Sequence, residues 1–264
     1  MTPLIVIRDV LKVFRSGEKS IHALDQISFD VDEGSFVSIV GPSGCGKSTL
    51  LKIISGLLPG SSGTIRVNNK QVDRPLENVG MVFQSPVLLK WRSVLGNIML
   101  PVEFAKLDRG LHLETARALI QLVGLQGFED MYPFELSGGM QQRVSLCRSL
   151  VTDPQILLMD EPFGALDAMT RDEMDLELLK IWDQKRKTVL FVTHNIQEAV
   201  FLSDYVVVMT ARPGRVLRKL RIDIKRPRTM EMMSSNRFGE YTLQIRAMLA
   251  SAGGIPGAAL GSTT

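Results

Sequence analysis

Apolar and polar positions alternate through the first forty residues in the manner of strands. Leu4 to Ile7, Ile27 to Val31 and Phe36 to Val40 are β-branched or aromatic runs, separated by the turn-forming stretches Ser16-Gly17 and Asp32-Glu33-Gly34, and predict hairpins or a meander. After Val40 a glycine-rich loop leads into a helix from about Lys47 to Leu57, closed by Pro59-Gly60. A short strand, Thr64 to Val67, precedes the turn Asn68-Asn69, and Val79 to Phe83 is strand-like. From about Ser85 to Asp153 the apolar spacing is helical, with helices expected at Val94 to Leu100, Leu111 to Val123 and Gly139 to Val151, broken by Pro101, Gly124 and Pro133. Alternation returns at Ile156 to Met159, Val189 to Thr193 and Tyr205 to Met209. Between these lie a helix carrying Met174, Leu178 and Ile181 on one face and a short helix after Asn195.

Strands alternating with helices predict the α/β class, with a mainly parallel sheet covered by helices. The expected division is a core of residues 1–84 and 154–228, a helical insertion, 85–153, and a C-terminal extension, 229–264. In the extension Phe238 to Leu249 fits one amphipathic helix, whereas Ser251 to Thr264 has too little patterning to order itself.

Composition changes this picture little. The 264 residues are 45% hydrophobic and 22% charged, which excludes collagenous, mucin-like and wholly disordered chains. No apolar run approaches the roughly 18 residues of a spanning helix, and Met1 to Val10 carries Arg8 and Asp9 where a signal peptide needs apolar residues, so a cytoplasmic location is expected. Cys45 and Cys147 lack metal-site spacing and suit a reducing compartment. Charge is uneven: Ala211 to Arg228 holds eight basic residues against Asp223, a local +7 that leaves −4 for the rest of a chain with net charge +3. No aromatics interleave with those charges, so the run is expected to be a solvated strand and linker and not a nucleic-acid surface.

Candidate chemistry begins at Gly41-Pro42-Ser43-Gly44-Cys45-Gly46-Lys47-Ser48, which fits G-x-x-x-x-G-K-[ST] between an apolar strand and a helix. Glycines let backbone N–H groups turn inward around phosphates, and the helix that follows points its positive end at them. Lys47 is placed to reach the β- and γ-phosphates and Ser48 to offer a hydroxyl to Mg²⁺; Thr49 continues the nucleotide-binding run. Cys45, at a helix start beside Lys47, is expected to favour its thiolate and to face the phosphates. Farther on, Ile156 to Met159 runs into Asp160-Glu161, a strand that delivers Asp160 to Mg²⁺ and leaves Glu161 as the candidate general base.

With Leu136-Ser137-Gly138-Gly139-Met140-Gln141-Gln142-Arg143 the chain resembles the ATP-binding cassette (ABC) ATPases. The resemblance implies a P-loop NTPase core with an N-terminal antiparallel β part and an inserted helical subdomain, and ATP and Mg²⁺ as ligands. It also implies that Ser137, Gly138 and Gly139 address the γ-phosphate of ATP held by a second copy of the chain. Gln84 matches the glutamine that touches Mg²⁺ and the attacking water, Asp167 the aspartate of the cross-dimer loop, His194 the histidine near the γ-phosphate, and Phe14 the aromatic that stacks on adenine. Catalytic roles thereby fall to Glu161, His194, Gln84 and Lys47, and the metal set to Ser48, Gln84 and Asp160.

Three stretches narrow the resemblance to the nitrate/sulfonate/taurine importer group: Leu88 to Val94, Glu177 to Trp182, and Asp204 to Val216 with Ala211-Arg212-Pro213-Gly214-Arg215. That group implies a homodimer at the cytoplasmic face of the membrane, permease subunits docked on the insertion and the Gln84 to Asn97 loop, and an extracytoplasmic solute-binding protein. A DNA-repair cassette would separate its motifs by coiled coils, yet Gly41 and Ser137 stand 96 positions apart without heptads. A translation cassette usually comes in pairs within one chain.

Overall fold

The computed structural model describes residues 3–17, 19–164 and 166–252. Its opening strands outrun their apolar stretches. β1 (Pro3–Ser16) and β2 (Lys19–Asp32) form one antiparallel hairpin, in which Ile5, Ile7 and Val10 point inward while Arg8 pairs with Asp30 outside. Polar residues do not end a strand that has one face in water and a backbone partner beside it. β3 (Phe36–Val40) enters the glycine-rich loop, and α1 (Lys47–Ile54) follows. The helix stops short of Leu57 because Gly56 turns to φ +77°, where a Cβ would lie 2.1 Å from the Arg74 carbonyl oxygen. Next come β4 (Ser62–Val67), β5 (Lys70–Gln71) and β6 (Val79–Val82).

The helical stretch comprises α2 (Val94–Ile98), α3 (Leu100–Phe104), α4 (Arg109–Leu122) and α5 (Gly138–Leu150). Pro101, expected as a breaker, sits instead in the first turn of α3, where its missing N–H costs nothing. These helices share an apolar cluster that includes Val94, Ile98, Ala116, Ile120, Val144 and Cys147. The chain then alternates: β7 (Ile156–Asp160), α6 (Ala168–Lys185), β8 (Thr188–Val192), α7 (Ile196–Leu202) and β9 (Tyr205–Met209), ending with β10 (Val216–Arg221) and α8 (Asn236–Ala252).

Two sheets result. β2-β1-β4-β5 is antiparallel. In β10-β9-β3-β8-β7-β6 every pair is parallel except β10 with β9. Its inner strands β3, β7, β8 and β9 are buried on both faces, which is why they read as continuous apolar runs. In β8, Val189 and Phe191 join a cluster with Trp182 and Phe201, whereas Leu190 and Val192 join another with Leu50, Leu51 and Ile27. α8 lays Phe238, Tyr241 and Ile245 on the first cluster, as its pattern requires. It includes Ser251 and Ala252; the rest of the tail expected to stay unordered, 253–264, lies outside the described residues.

The basic run is not simply a solvated strand and linker. Arg228 is buried and donates to the carbonyls of Val200, Phe201 and Ser203 at 2.9, 2.6 and 2.7 Å. Arg226 bonds Asp204 and the Leu202 carbonyl and lies 4.0 Å over the Trp182 ring. Together they satisfy the carbonyls that the end of α7 leaves open. Among the described residues no helix is long and apolar enough to cross a membrane.

Candidate nucleotide site

Parallel register puts the carboxyl ends of β3, β6, β7 and β8 on one edge of the sheet: Ser38 lies beside Phe191, Leu158 beside Leu190 and Met81 beside Leu158. The residues that follow each strand therefore converge there. Gly41 leaves β3, Gln84 follows β6, Asp160 ends β7 with Glu161 next after it, and His194 follows β8.

The phosphate loop wraps the start of α1. Gly46 sits at φ +104°, and a Cβ there would come within 2.6 Å of Leu24, so β2 packs against the loop only because the position is glycine. Lys47 is 5% exposed and its Nζ donates to the carbonyls of Gly41 and Pro42 at 2.9 and 3.2 Å. Ser48 Oγ donates to Asp160 Oδ1 at 2.7 Å. Burial, reinforced by the charge of Glu161, pushes the Asp160 carboxyl above its ordinary range, against the Ser48 hydrogen bond. Glu161 stands at φ +47°, a left-handed conformation held by its N–H donating to Val192 at 2.9 Å. That backbone aims the carboxylate between two partners: Oε1 lies 4.0 Å from Lys47 Nζ, and Oε2 is 3.1 Å from His194 Nδ1. Carboxylate oxygens only accept, so Nδ1–H is the donor.

A cavity of about 420 Å³ opens over these groups, lined by Phe14, Ile21, Ala23, Ser43, Gly44, Gly46 to Thr49, Gln84, Glu161 and Arg212. Phe14 and Ile21 are cross-strand partners and form its apolar end. A hydroxyl and a carboxylate in contact, with an amide oxygen at the rim, make a hard-oxygen donor set of the kind Mg²⁺ takes beside phosphates.

Cys45 does not behave as expected. Its side chain is fully buried beneath the loop, where a Cβ on Gly41 would lie 2.8 Å from its Sγ, and it belongs to the apolar cluster of Leu50 and Ile27. Burial raises its thiol pKa, outweighing the attraction of Lys47. Cys147 is buried too, its pKa pushed up to about 12.

Ser137, Gly138, Gly139 and Asp167 are not among the residues that line this cavity. Ser137 caps α5, its Oγ accepting from Met140 N–H at 3.2 Å, and Asp167 caps α6 through Thr170 at 3.0 Å. The two helix starts are neighbours: a Cβ on Gly139 would sit 3.5 Å from Leu166 and Thr170. α5 also reaches the loop after β6, since Gln142 Nε2 donates to the Phe83 carbonyl at 3.2 Å.

Residues 24–164 match the family model described as ABC transporter. The chain belongs to the ABC transporter family. It is 47% identical to an uncharacterised ABC transporter ATP-binding protein of Methanocaldococcus jannaschii, over 92% of this chain and 90% of that one. It is also 47% identical to the taurine import ATP-binding protein TauB of Rhizobium johnstonii, over 88% and 91%. Its fold is similar to a dimeric structure of a post-hydrolysis state of the ATP-binding cassette MJ0796 bound to ADP and Pi, with TM-score 0.75 and 31% identity over 84% of this chain and 100% of that one.

Sequence reasoning about this ABC protein missed three contributors to the site. Ile21 lay in an unremarked polar stretch. Thr193 donates to the buried Glu198 and accepts from Asn195 N–H at 3.0 Å, bracing the backbone around His194; the five-residue spacing across a strand end was the available signal. Arg212 was noticed within its turn but given no place in the pocket.

Proposed function

We propose that this ABC protein binds and hydrolyses ATP to power a membrane importer, working as a pair of copies that sandwich two ATP molecules. The observation that carries the reading is the Glu161 carboxylate held between Lys47 and His194 at the mouth of the phosphate loop, next to the Ser48–Asp160 pair. Lys47 exchanges its loop carbonyls for β- and γ-phosphate oxygens, and the N–H groups at the start of α1 face the same anion. Phe14 and Ile21 offer the adenine an apolar shelf. Ser48 and Asp160, with Gln84 at the rim, would hold Mg²⁺, which would neutralise charge on the phosphate oxygens. Glu161 orients the attacking water and takes its proton at a carboxylate oxygen, while His194 keeps that carboxylate in place. The partner copy completes the site with the α5 start at Ser137, Gly138 and Gly139, and with the Asp167 turn, using the helix dipole and an exposed N-terminus.

The solute is taken to be a small sulfonate such as taurine, or nitrate, carried by separate permease subunits at the cytoplasmic face of the membrane and delivered by a solute-binding protein. A second groove of about 390 Å³, lined by Met81, Phe83, Val87, Leu89, Pro101 and Phe104, suits the permease: Phe104 is 80% exposed, and Trp91 nearby in sequence is 74% exposed. Such apolar exposure marks a docking surface.

The test is Glu161→Gln, assayed by phosphate release and by binding of a fluorescent ATP. Hydrolysis is expected to fall about 100-fold or more while binding persists, and a larger species should appear with ATP and Mg²⁺ in size exclusion. Turnover within a few-fold of the parent would remove Glu161 from its role.

A further inference from the structure

Arg212 lies outside the phosphate loop, the strand-end carboxylates and the α5 start, yet it lines the nucleotide cavity. Its Nε and Nη2 donate to the Gly44 carbonyl, on the phosphate loop itself, at 3.1 and 2.9 Å. The turn that carries it is fixed on two sides. Gly214 N–H donates to Ala23 at 3.0 Å, its carbonyl accepts from Asp25 N–H at 2.9 Å, and Arg215 pairs with the Asp25 carboxylate. Gly214 also presses on the loop, since a Cβ there would fall 2.1 Å from the Cys45 carbonyl oxygen; glycine alone permits that approach. The backbone that bears Arg212 is thus stitched to β2 and seated against the loop.

Charge gives the position its meaning. Apart from Arg212, the charged side chains lining the cavity are Lys47 and Glu161, which cancel. A nucleoside triphosphate remains anionic after it has taken one divalent cation, so a cavity lined by one lysine and one carboxylate, with Asp160 a second carboxylate behind Ser48, is short of positive charge. A guanidinium has five N–H groups in a planar fork; two are spent on Gly44, and the others have no protein partner among the described residues. Arginine in this arrangement recognises phosphate oxygens by two or more directed bonds.

Taking the cavity as the ATP site, we infer that Arg212 is a second phosphate-binding cation of this site, reaching the terminal phosphates of a nucleoside di- or triphosphate from the rim beside Gly44. Its bond to the Gly44 carbonyl holds the guanidinium ready while the pocket is empty. It is a binding residue, felt by substrate and transition state alike.

The experiment titrates the full-length protein with mant-labelled ATP, ADP and AMP, in the parent and in Arg212→Ala, Arg212→Gln, Arg212→Lys and Lys47→Ala. Arg212→Ala is expected to weaken ATP and ADP about 10-fold and AMP less than about 2-fold, with KM for MgATP raised to match and kcat nearly unchanged. Arg212→Gln keeps an amide donor for Gly44 but no charge and should bind as weakly as the alanine variant, whereas Arg212→Lys should recover part of the loss. Parent-like affinity in Arg212→Gln would reduce Arg212 to a brace of the loop and overturn the proposal. So would equal losses for AMP and ATP, or no loss at all. Unchanged ATP binding in Lys47→Ala would instead overturn the assignment of the cavity as the ATP site, and the proposal with it.

Discussion

The starts of α1 and α5 are both glycine-rich turns leading into a helix, and they are built in opposite ways. At α1 no side chain caps the helix; Gly46 takes the N-cap position at φ +104°, Lys47 is buried, and Ser48 is tied to Asp160 on another strand. At α5 Ser137 caps its own helix through Met140, and a Cβ on Gly138 would meet nothing within 4 Å. One turn is finished by distant parts of the same chain, Leu24 and Asp160. The other is finished locally and presents its positive end outward. In the proposed function the enclosed half holds the phosphates and the open half, at Ser137, is lent to a copy of the chain.

Variants in the two turns test that contrast most strongly. Lys47→Ala should reduce phosphate release to background, a loss of more than about 100-fold, while Ser137→Ala should bind ATP normally and hydrolyse it about 10-fold or more slowly. In a purified heterodimer of the two, one composite site carries both lesions and the other neither. Activity up to about half the parent's is then expected. A heterodimer as silent as the Lys47→Ala homodimer would break the comparison.

The thiol of Cys45 sharpens it at the enclosed turn. Because burial raises both thiol pKa values and the Cys45 Sγ points under the loop, native protein should label with maleimide at Cys45 and at Cys147 far more slowly than after unfolding. Peptide mass spectrometry reads this directly. Rapid labelling of native Cys45 would mean that the enclosed turn opens freely.

A smaller effect belongs to the brace beneath His194. Glu198 is buried with a carboxyl pKa of about 7 against its ordinary 4.5, raised first by desolvation; Arg171 and His194 pull it down and Glu161 pushes it up. Its neighbour Asp175 is raised as well, by burial and then by the charge of Glu198. The folded protein therefore holds a proton that the unfolded chain has released, so this pair contributes stability that is full below about pH 4.5 and lost as pH climbs through 7. Glu198→Gln should flatten that slope by about 1–3 kcal/mol, measured as the difference between variant and parent in urea unfolding at pH 5 and pH 7.5. An unchanged difference between those pH values would show that Glu198 ionises freely in the fold.

What could be read from residues alone was whatever depends on local order. Strands β7, β8 and β9 end within a residue of their apolar runs, because burial on both faces leaves no polar position inside them. The hairpin of β1 and β2 was read too short, since half its residues face water and only pairing shows that the strand continues. Arg228 read as solvated because nothing near it in sequence reveals that the open carbonyls of α7 lie against it.

The chemistry divides along the same line. The residues proposed to hold phosphate and magnesium could be named from the sequence, because the glycines, Lys47 and Ser48 fall within one turn and Asp160 and Glu161 at one strand end. That these segments meet was decided by the parallel register of β3, β7 and β8, which brings positions more than a hundred residues apart into hydrogen-bond contact, as Ser48 and Asp160 show. Side-chain direction was likewise tertiary. Cys45 and Lys47 are two residues apart, and packing against Leu50 and Ile27 turned one thiol into the core while the ammonium reached up to the loop carbonyls. Arg212 came to the rim because Gly214 allows two backbones to touch, a proximity that no local pattern encodes.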